Sequence, residues 1–169
     1  MDLRRIAWDY YQRKDIQEAI ASHAKDREVV PRYLESFGKR PDIIEYPSDV
    51  ANLAEKGATS FHFSEERWNN PLDLGTSMTP EGMNALRKGW DLILDVDSKY
   101  LEYSKVAAEL IIGALKFHNV NNIGLKFSGR GGWHIMVPFE AFPDEVQGVK
   151  IKDLFPQGPR MVSMYLREL

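Results

Sequence analysis

Hydrophobic positions change period along the chain, and the sharpest change lies between Trp90 and Pro138. Leu92, Ile93 and Leu94 form an apolar run that ends in Asp95-Val96-Asp97, so a strand is predicted with the two acids on one of its faces. Ala107, Leu110, Ile111, Ala114, Leu115 and His118 then recur at three- and four-residue spacing, which predicts a helix burying that stripe. Asn119, Asn121 and Asn122 mark its exit, since asparagine tolerates the left-handed conformation that ends helices. Residues 123–127 and 133–137 read as two strands joined by the turn Ser128-Gly129-Arg130-Gly131-Gly132. The order is strand, helix, hairpin, and a crossover between parallel strands of one sheet is expected to be right-handed.

The flanks read less sharply. Residues 1–23 predict one helix, with Leu3, Ile6, Ala7 and Tyr10 on a stripe that Ile16, Ala19, Ile20 and His23 continue after a small drift. Residues 27–33 suggest an edge strand containing Pro31, and residues 42–46 a second strand. Residues 48–57 suggest a short helix closed by Gly57; residues 58–64 alternate, with Phe61 and Phe63 opposite Ser60, His62 and Ser64. Residues 65–81 read as a long loop, and Thr79-Pro80 opens a short helix. Trp68 in that loop is read as a core residue, because tryptophan buries so much area, with base stacking as the other role. Residues 151–155 have no clear period, whereas residues 159–169 have helical spacing, with Met161, Met164, Tyr165 and Leu169 along one side. That pattern still runs at Leu169, so the chain is expected to be either the amino-terminal part of a longer protein or an unusually short one. The fold class expected is α+β with a mixed sheet, in a single domain over residues 1–169. Residues 1–89 support it, residues 90–138 carry its motifs, and residues 139–169 begin a continuation.

Composition narrows the class. In 169 residues, 43% are hydrophobic and 28% charged, which is the balance of a soluble globular chain. The formal net charge of −3 argues against a globally basic nucleic-acid binder, while leaving room for a local basic groove. Arg27 and Arg32 are candidates to line one, against the ordinary reading of surface arginines; His62 is a minor site candidate beside its reading as a hydrogen-bonded structural residue. There is no cysteine, which excludes disulfides and cysteine-based zinc sites. No apolar run is long enough for a membrane helix and no signal peptide is recognisable, so a cytoplasmic protein without membrane partners is expected.

The chemistry concentrates at the two ends of the central unit. Asp95 and Asp97 side by side repel one another, and a hard divalent cation shared with substrate phosphates relieves that repulsion. In the turn, glycines let backbone N–H groups approach a phosphate, and Ser128, Arg130 and His134 add donors. Alternation puts Lys126 with Ser128 on one face, and His134 with Met136 on one face of the returning strand. Each motif alone is common; their order, one helix apart and each at a strand end, carries the reading.

A hydrophobic DxD followed by SGxxGxH resembles the archaeo-eukaryotic primase superfamily, including archaeal primase small catalytic subunits and the primase-polymerase domains of bacterial end-joining ligases. The resemblance covers about a third of the chain, with WDYYQR near the start a fainter echo. It implies a primase-polymerase core with an RRM-like strand-helix-hairpin unit and an N-terminal helix-strand module. It implies that Asp95 and Asp97 bind Mg²⁺ or Mn²⁺, and that Ser128, Gly129, Gly132 and His134 hold a nucleoside triphosphate. Arg130 falls where replicative primases are often basic, Lys126 precedes the turn as in ligase-associated domains, and Gly131 completes it. The activity implied is template-directed primer synthesis by two-metal nucleotidyl transfer in DNA replication or repair, with Asp95, Asp97 and His134 catalytic. The partners implied are nucleoside triphosphates, a single-stranded DNA template and a primase large subunit. Two departures stand against the pattern: the zinc module is missing, and a third metal-binding carboxylate is expected beyond Leu169, because Glu140, Asp144, Glu145, Asp153 and Glu168 do not end a recognisable strand. The alternatives are a catalytically silent nucleotide- or nucleic-acid-binding module and a DxD glycosyltransferase, whose motif calls for no SGxxGxH hairpin.

Overall fold

The computed structural model describes residues 2–129 and 131–169. It is a mixed α+β chain in two compact units, Met1–Lys88 and Gly89–Leu169.

In the first unit, helices α1 (Leu3–Tyr11), α2 (Lys14–Ala24) and α3 (Pro47–Glu55) lie with strands β1 (Val29–Tyr33), β2 (Ser36–Phe37) and β3 (Ser60–Phe63), the strands being antiparallel in the order β2-β1-β3. Where one helix is expected at the start there are two, because Arg13 takes an extended backbone (φ −68°, ψ 125°) and begins a new helix. The break absorbs the drift in the stripe and turns it: Ala7 and Ala24 are buried, while Leu3, Ile6 and Tyr10 are exposed. Ala24, Val29, Ile44 and Val50 form the core, with Tyr11, Ile20, Leu53, Phe61 and Phe63 against it. Helix α3 starts one residue before the expected Ser48, and Asp49 accepts from the Tyr46 N–H at 2.8 Å. Gly57 ends it at φ +97°, a conformation that glycine adopts without a steric penalty.

Residues 42–46 form no strand. They run beside β1, with the Val29 N–H donating to the Asp42 carbonyl at 2.9 Å, and contribute the buried Ile44. The stretch expected to be loop contains strand β4 (Glu66–Trp68) and a 3₁₀ turn at Pro71–Asp73. Trp68 is buried, as the core reading requires. Thr79 caps α4 (Pro80–Leu86), accepting from the Gly82 N–H, and strand β5 (Arg87–Trp90) follows.

The second unit is built on β6 (Leu92–Asp97), α5 (Leu101–Phe117), β7 (Gly124–Phe127) and β8 (Gly132–Val137). The sheet order is β6-β8-β7 with both pairs antiparallel, so β6 and β7 run parallel and the hairpin strand sits between them. Leu92, Leu94, Val96, Ile135 and Val137 share the face that packs on α5. Helix α5 presents Ser104, Ala108, Ile111 and Leu115 inward, so Ile111 and Leu115 of the expected stripe face the core, whereas Leu110 is 70% exposed and His118 bonds to the Tyr165 hydroxyl at 2.8 Å. The cause is a second apolar row on the same helix, Tyr103, Val106, Leu110 and Phe117, all exposed.

A short hairpin of β9 (Glu145–Val146) and β10 (Val149–Lys150) leads through a 3₁₀ turn at Ile151–Leu154 into α6 (Gln157–Glu168). Trp90 is fully buried and donates its indole N–H to the Ile151 carbonyl at 2.8 Å. In α6, Gly158, Val162 and Leu166 face the core, and Met161, Met164, Tyr165 and Leu169 are exposed. Among the described residues, no helix is long and apolar enough to cross a membrane.

Candidate functional site

The face of the β6-β8-β7 sheet opposite α5 holds the polar residues of both motifs. In register, Asp95 lies across from His134, and His134 across from Lys126, so that one row crosses all three strands. The next row pairs Asp97 with Gly132, and the row behind is apolar, with Ile93, Met136 and Gly124. Alternation along β6 therefore puts Asp95 and Asp97 together, as expected, with both exposed. His134 Nε2 lies 3.4 Å from Asp95 Oδ1; the Asp95 side chain is 60% exposed and that of His134 36%.

Gly132 is fixed by its neighbour. A Cβ there would fall on the Asp97 carboxylate and lie 2.8 Å from the Val96 carbonyl oxygen, so only glycine lets the acid fold over β8. Gly131 is held similarly, with its missing Cβ directed 2.7 Å from the Ser98 carbonyl oxygen. Gly129 has φ +97°, and the Ser128 N–H donates to the Gly132 carbonyl at 2.9 Å, which closes the turn. Arg130 lies outside the described residues. The Ser128 hydroxyl is enclosed and has no hydrogen-bond partner among the described residues. Lys126 is exposed on the same face as His134.

The donor set suits a hard cation. Two carboxylates project from one strand face into solvent, and Mg²⁺ or Mn²⁺ typically takes one or two carboxylates and completes its shell with water and substrate phosphates. The histidine and lysine beside them add N–H donors of the kind that bind phosphate. Among the described residues no group of three or more histidine, aspartate or glutamate side chains is placed to hold a metal ion. The later acids lie in other elements: Glu140 in a 3₁₀ turn, Glu145 in β9, Asp153 beside Lys152 at 3.5 Å, and Glu168 at the end of α6.

One polar constellation escaped the sequence reading. In the first unit Glu28 is buried and holds Arg40 bidentately, Nε to Oε1 at 2.9 Å and Nη2 to Oε2 at 2.7 Å. The pair borders a cavity of about 150 Å³ reached also by Phe37, His62 and Ser64. Twelve residues separate the two charges, and neither belongs to a motif; the alternation of 58–64, with His62 and Ser64 on one face, was the available signal. Compared with known proteins, the chain matches no protein-family model and no curated protein sequence.

Proposed function

We propose that this protein is a metal-dependent nucleotidyltransferase of the primase-polymerase type, acting in the cytoplasm on a single-stranded DNA template with nucleoside triphosphates. One observation carries the reading: the row Asp95–His134–Lys126, with Asp97 one step beyond it, juxtaposes acids and N–H donors suited to phosphate on the open face of one sheet, beside a glycine turn. Asp95 and Asp97 would hold Mg²⁺ or Mn²⁺. A divalent ion supplies charge neutralisation at the reacting phosphates and lowers the pKa of an attacking hydroxyl. His134 and Lys126 grip the triphosphate tail, and the turn's N–H groups and Ser128 complete the cradle. Asp95 orients His134 through their contact, so the ring presents a fixed edge to the phosphates. The template supplies the base, and a primase large subunit is the further partner this reading calls for.

The second reading is a catalytically silent nucleotide- or nucleic-acid-binding module, favoured because no third carboxylate joins Asp95 and Asp97 in a metal-holding group among the described residues. Titration calorimetry with a nucleoside triphosphate and Mn²⁺ tests the site, and primer synthesis on a bare template separates the readings. Triphosphate binding that needs His134, together with transfer lost in Asp95→Asn, supports the enzyme; binding without transfer supports the silent module. No triphosphate binding at all overturns the enzyme and the nucleotide-binding form of the silent module, leaving only a nucleic-acid-binding one.

A further inference from the structure

The first unit carries a second polar surface that the nucleotidyl-transfer reading does not use. Strands β2, β1 and β3 pack one face on the helices, through Val29, Phe61 and Phe63. Register places Arg32 across from both Phe37 and Ser60, and Val30 across from His62, on the other face. Phe37 is 56% exposed there. Two side chains meet its ring: the Arg32 guanidinium lies 5.5 Å from the centroid, and the His62 ring packs edge-to-face with it at 5.1 Å. The Arg32 Nε is enclosed and without a hydrogen-bond partner among the described residues.

Beside this ring opens the cavity bordered by Glu28 and Arg40. Its volume, about 150 Å³, is of the size that admits one six-membered aromatic ring. The ion pair on its rim is only half used. Arg40 commits Nε and one Nη2 hydrogen, leaving three N–H donors, and each Glu28 oxygen keeps a lone pair. The Arg40 side chain is 67% exposed and that of Glu28 10%, so the guanidinium is open to solvent and the carboxylate lies deeper. An isolated anion fits poorly, since Glu28 offsets Arg40, and a purely apolar group would leave the pair unsolvated. A flat ring with adjacent donors and acceptors on its edge satisfies both, and nucleobases present that pattern.

We propose that this face is a docking site for one unpaired nucleobase of a single-stranded nucleic acid, with the base against Phe37 and its edge on the Glu28–Arg40 pair. Arg32, already over the ring, is placed to meet the adjoining phosphate. The proposal rests on the reading that the protein works on a single strand, and adds to it a grip made by side chains of the first unit. Aromatic stacking with a nearby arginine is the physical basis of sequence-tolerant single-strand binding.

The test is fluorescence anisotropy of a labelled ten-nucleotide oligothymidylate at low salt with wild type, Phe37→Ala and Phe37→Trp, each first shown to melt like the wild type. Phe37→Ala should weaken binding about fivefold to a hundredfold, and Phe37→Trp should keep it, with its fluorescence quenched by the strand. Affinity of Phe37→Ala within twofold of wild type overturns the proposal. So does competition by thymidine monophosphate at concentrations as low as those at which the strand binds, which would make the occupant a free nucleotide. Triphosphate binding by the wild type is scored separately. Its absence, with strand binding lost in Phe37→Ala, removes the nucleotidyl-transfer reading and leaves the docking site standing.

Discussion

The Asp97 carboxylate occupies the space that any side chain at Gly132 would need. The two residues are direct partners across β6 and β8, so this acid of the DxD pair owes its position to a glycine of the turn motif, 35 residues on. The motifs are one structure. Gly132→Ala should therefore act on the acid: the new methyl displaces the carboxylate and presses on the Val96 carbonyl, at a cost of about 1–3 kcal/mol in stability. Mn²⁺-dependent triphosphate binding measured by calorimetry should fall with it, and by more than in Gly129→Asn, where the left-handed backbone tolerates asparagine and no atom lies within 4 Å of the added Cβ.

His134 and Lys126 share a row, so their losses should be separable from that of the acids. His134→Ala removes a hydrogen bond to a charged group, a loss of roughly 1.5–3 kcal/mol or about tenfold or more in triphosphate affinity. Lys126→Ala should weaken binding less, as expected for a flexible, exposed ammonium. Asp95→Asn should abolish the dependence of binding on Mn²⁺ while leaving metal-free binding nearly intact. Calorimetry with and without EDTA reads all three; equal affinity in wild type and His134→Ala would take the histidine out of the site.

Legibility in the sequence followed the range of the forces. The β6, β7 and β8 strands, the turn between them and the shared face of Asp95, Asp97 and His134 follow from alternation and turn chemistry, which act within a few residues. The inward face of α5 followed only in part: Ile111 and Leu115 face the core as the spacing predicts, but Leu110 belongs to a second, exposed apolar row with Tyr103, Val106 and Phe117, and periodicity cannot choose between two rows. Strand β4 was hidden because the bonds that tie it down are distant: Arg87 reaches Glu66 from 21 residues away, within a stretch whose composition is that of a loop. The Glu28–Arg40 pair escaped for the same reason.

Glu65 offers a prediction with a definite sign. Burial raises its pKa above the usual glutamate value, and the neighbouring charge of Glu66 adds to the shift. A raised carboxylate favours folding below its unfolded pKa, and that advantage is lost as pH rises through the folded pKa. At neutral pH the charged Glu65 therefore works against the fold, and Glu65→Gln should stabilise the protein, by under about 1 kcal/mol once solvent screening of a half-exposed group is allowed for. Thermal melts at pH 7 and near pH 4 check this: the gain should shrink as the wild-type carboxyl takes up its proton. A gain unchanged across that range would assign the effect to something other than charge.

Arg87 should be the most consequential charged residue of the first unit. Its side chain is 4% exposed, donates from Nε and Nη2 to Glu66 Oε1 at 2.9 and 2.6 Å, bonds to Asn84 Oδ1, and lies 5.4 Å over the Trp68 ring. Arg87→Ala leaves Glu66 in a site where burial already raises its pKa, now without the guanidinium that opposes the rise. Removing one partner of a buried pair costs about 3–5 kcal/mol, far more than the pair contributes over an apolar replacement. Denaturant melts should show that loss at pH 7, and Arg87→Met with Glu66→Gln should recover much of it, because no unpaired charge is left. The loss in Arg87→Ala should also shrink on acidification, as the stranded Glu66 protonates. A single and a double variant equally unstable at every pH would mean that packing of the arginine stem against Trp68, rather than charge, holds β4 in place.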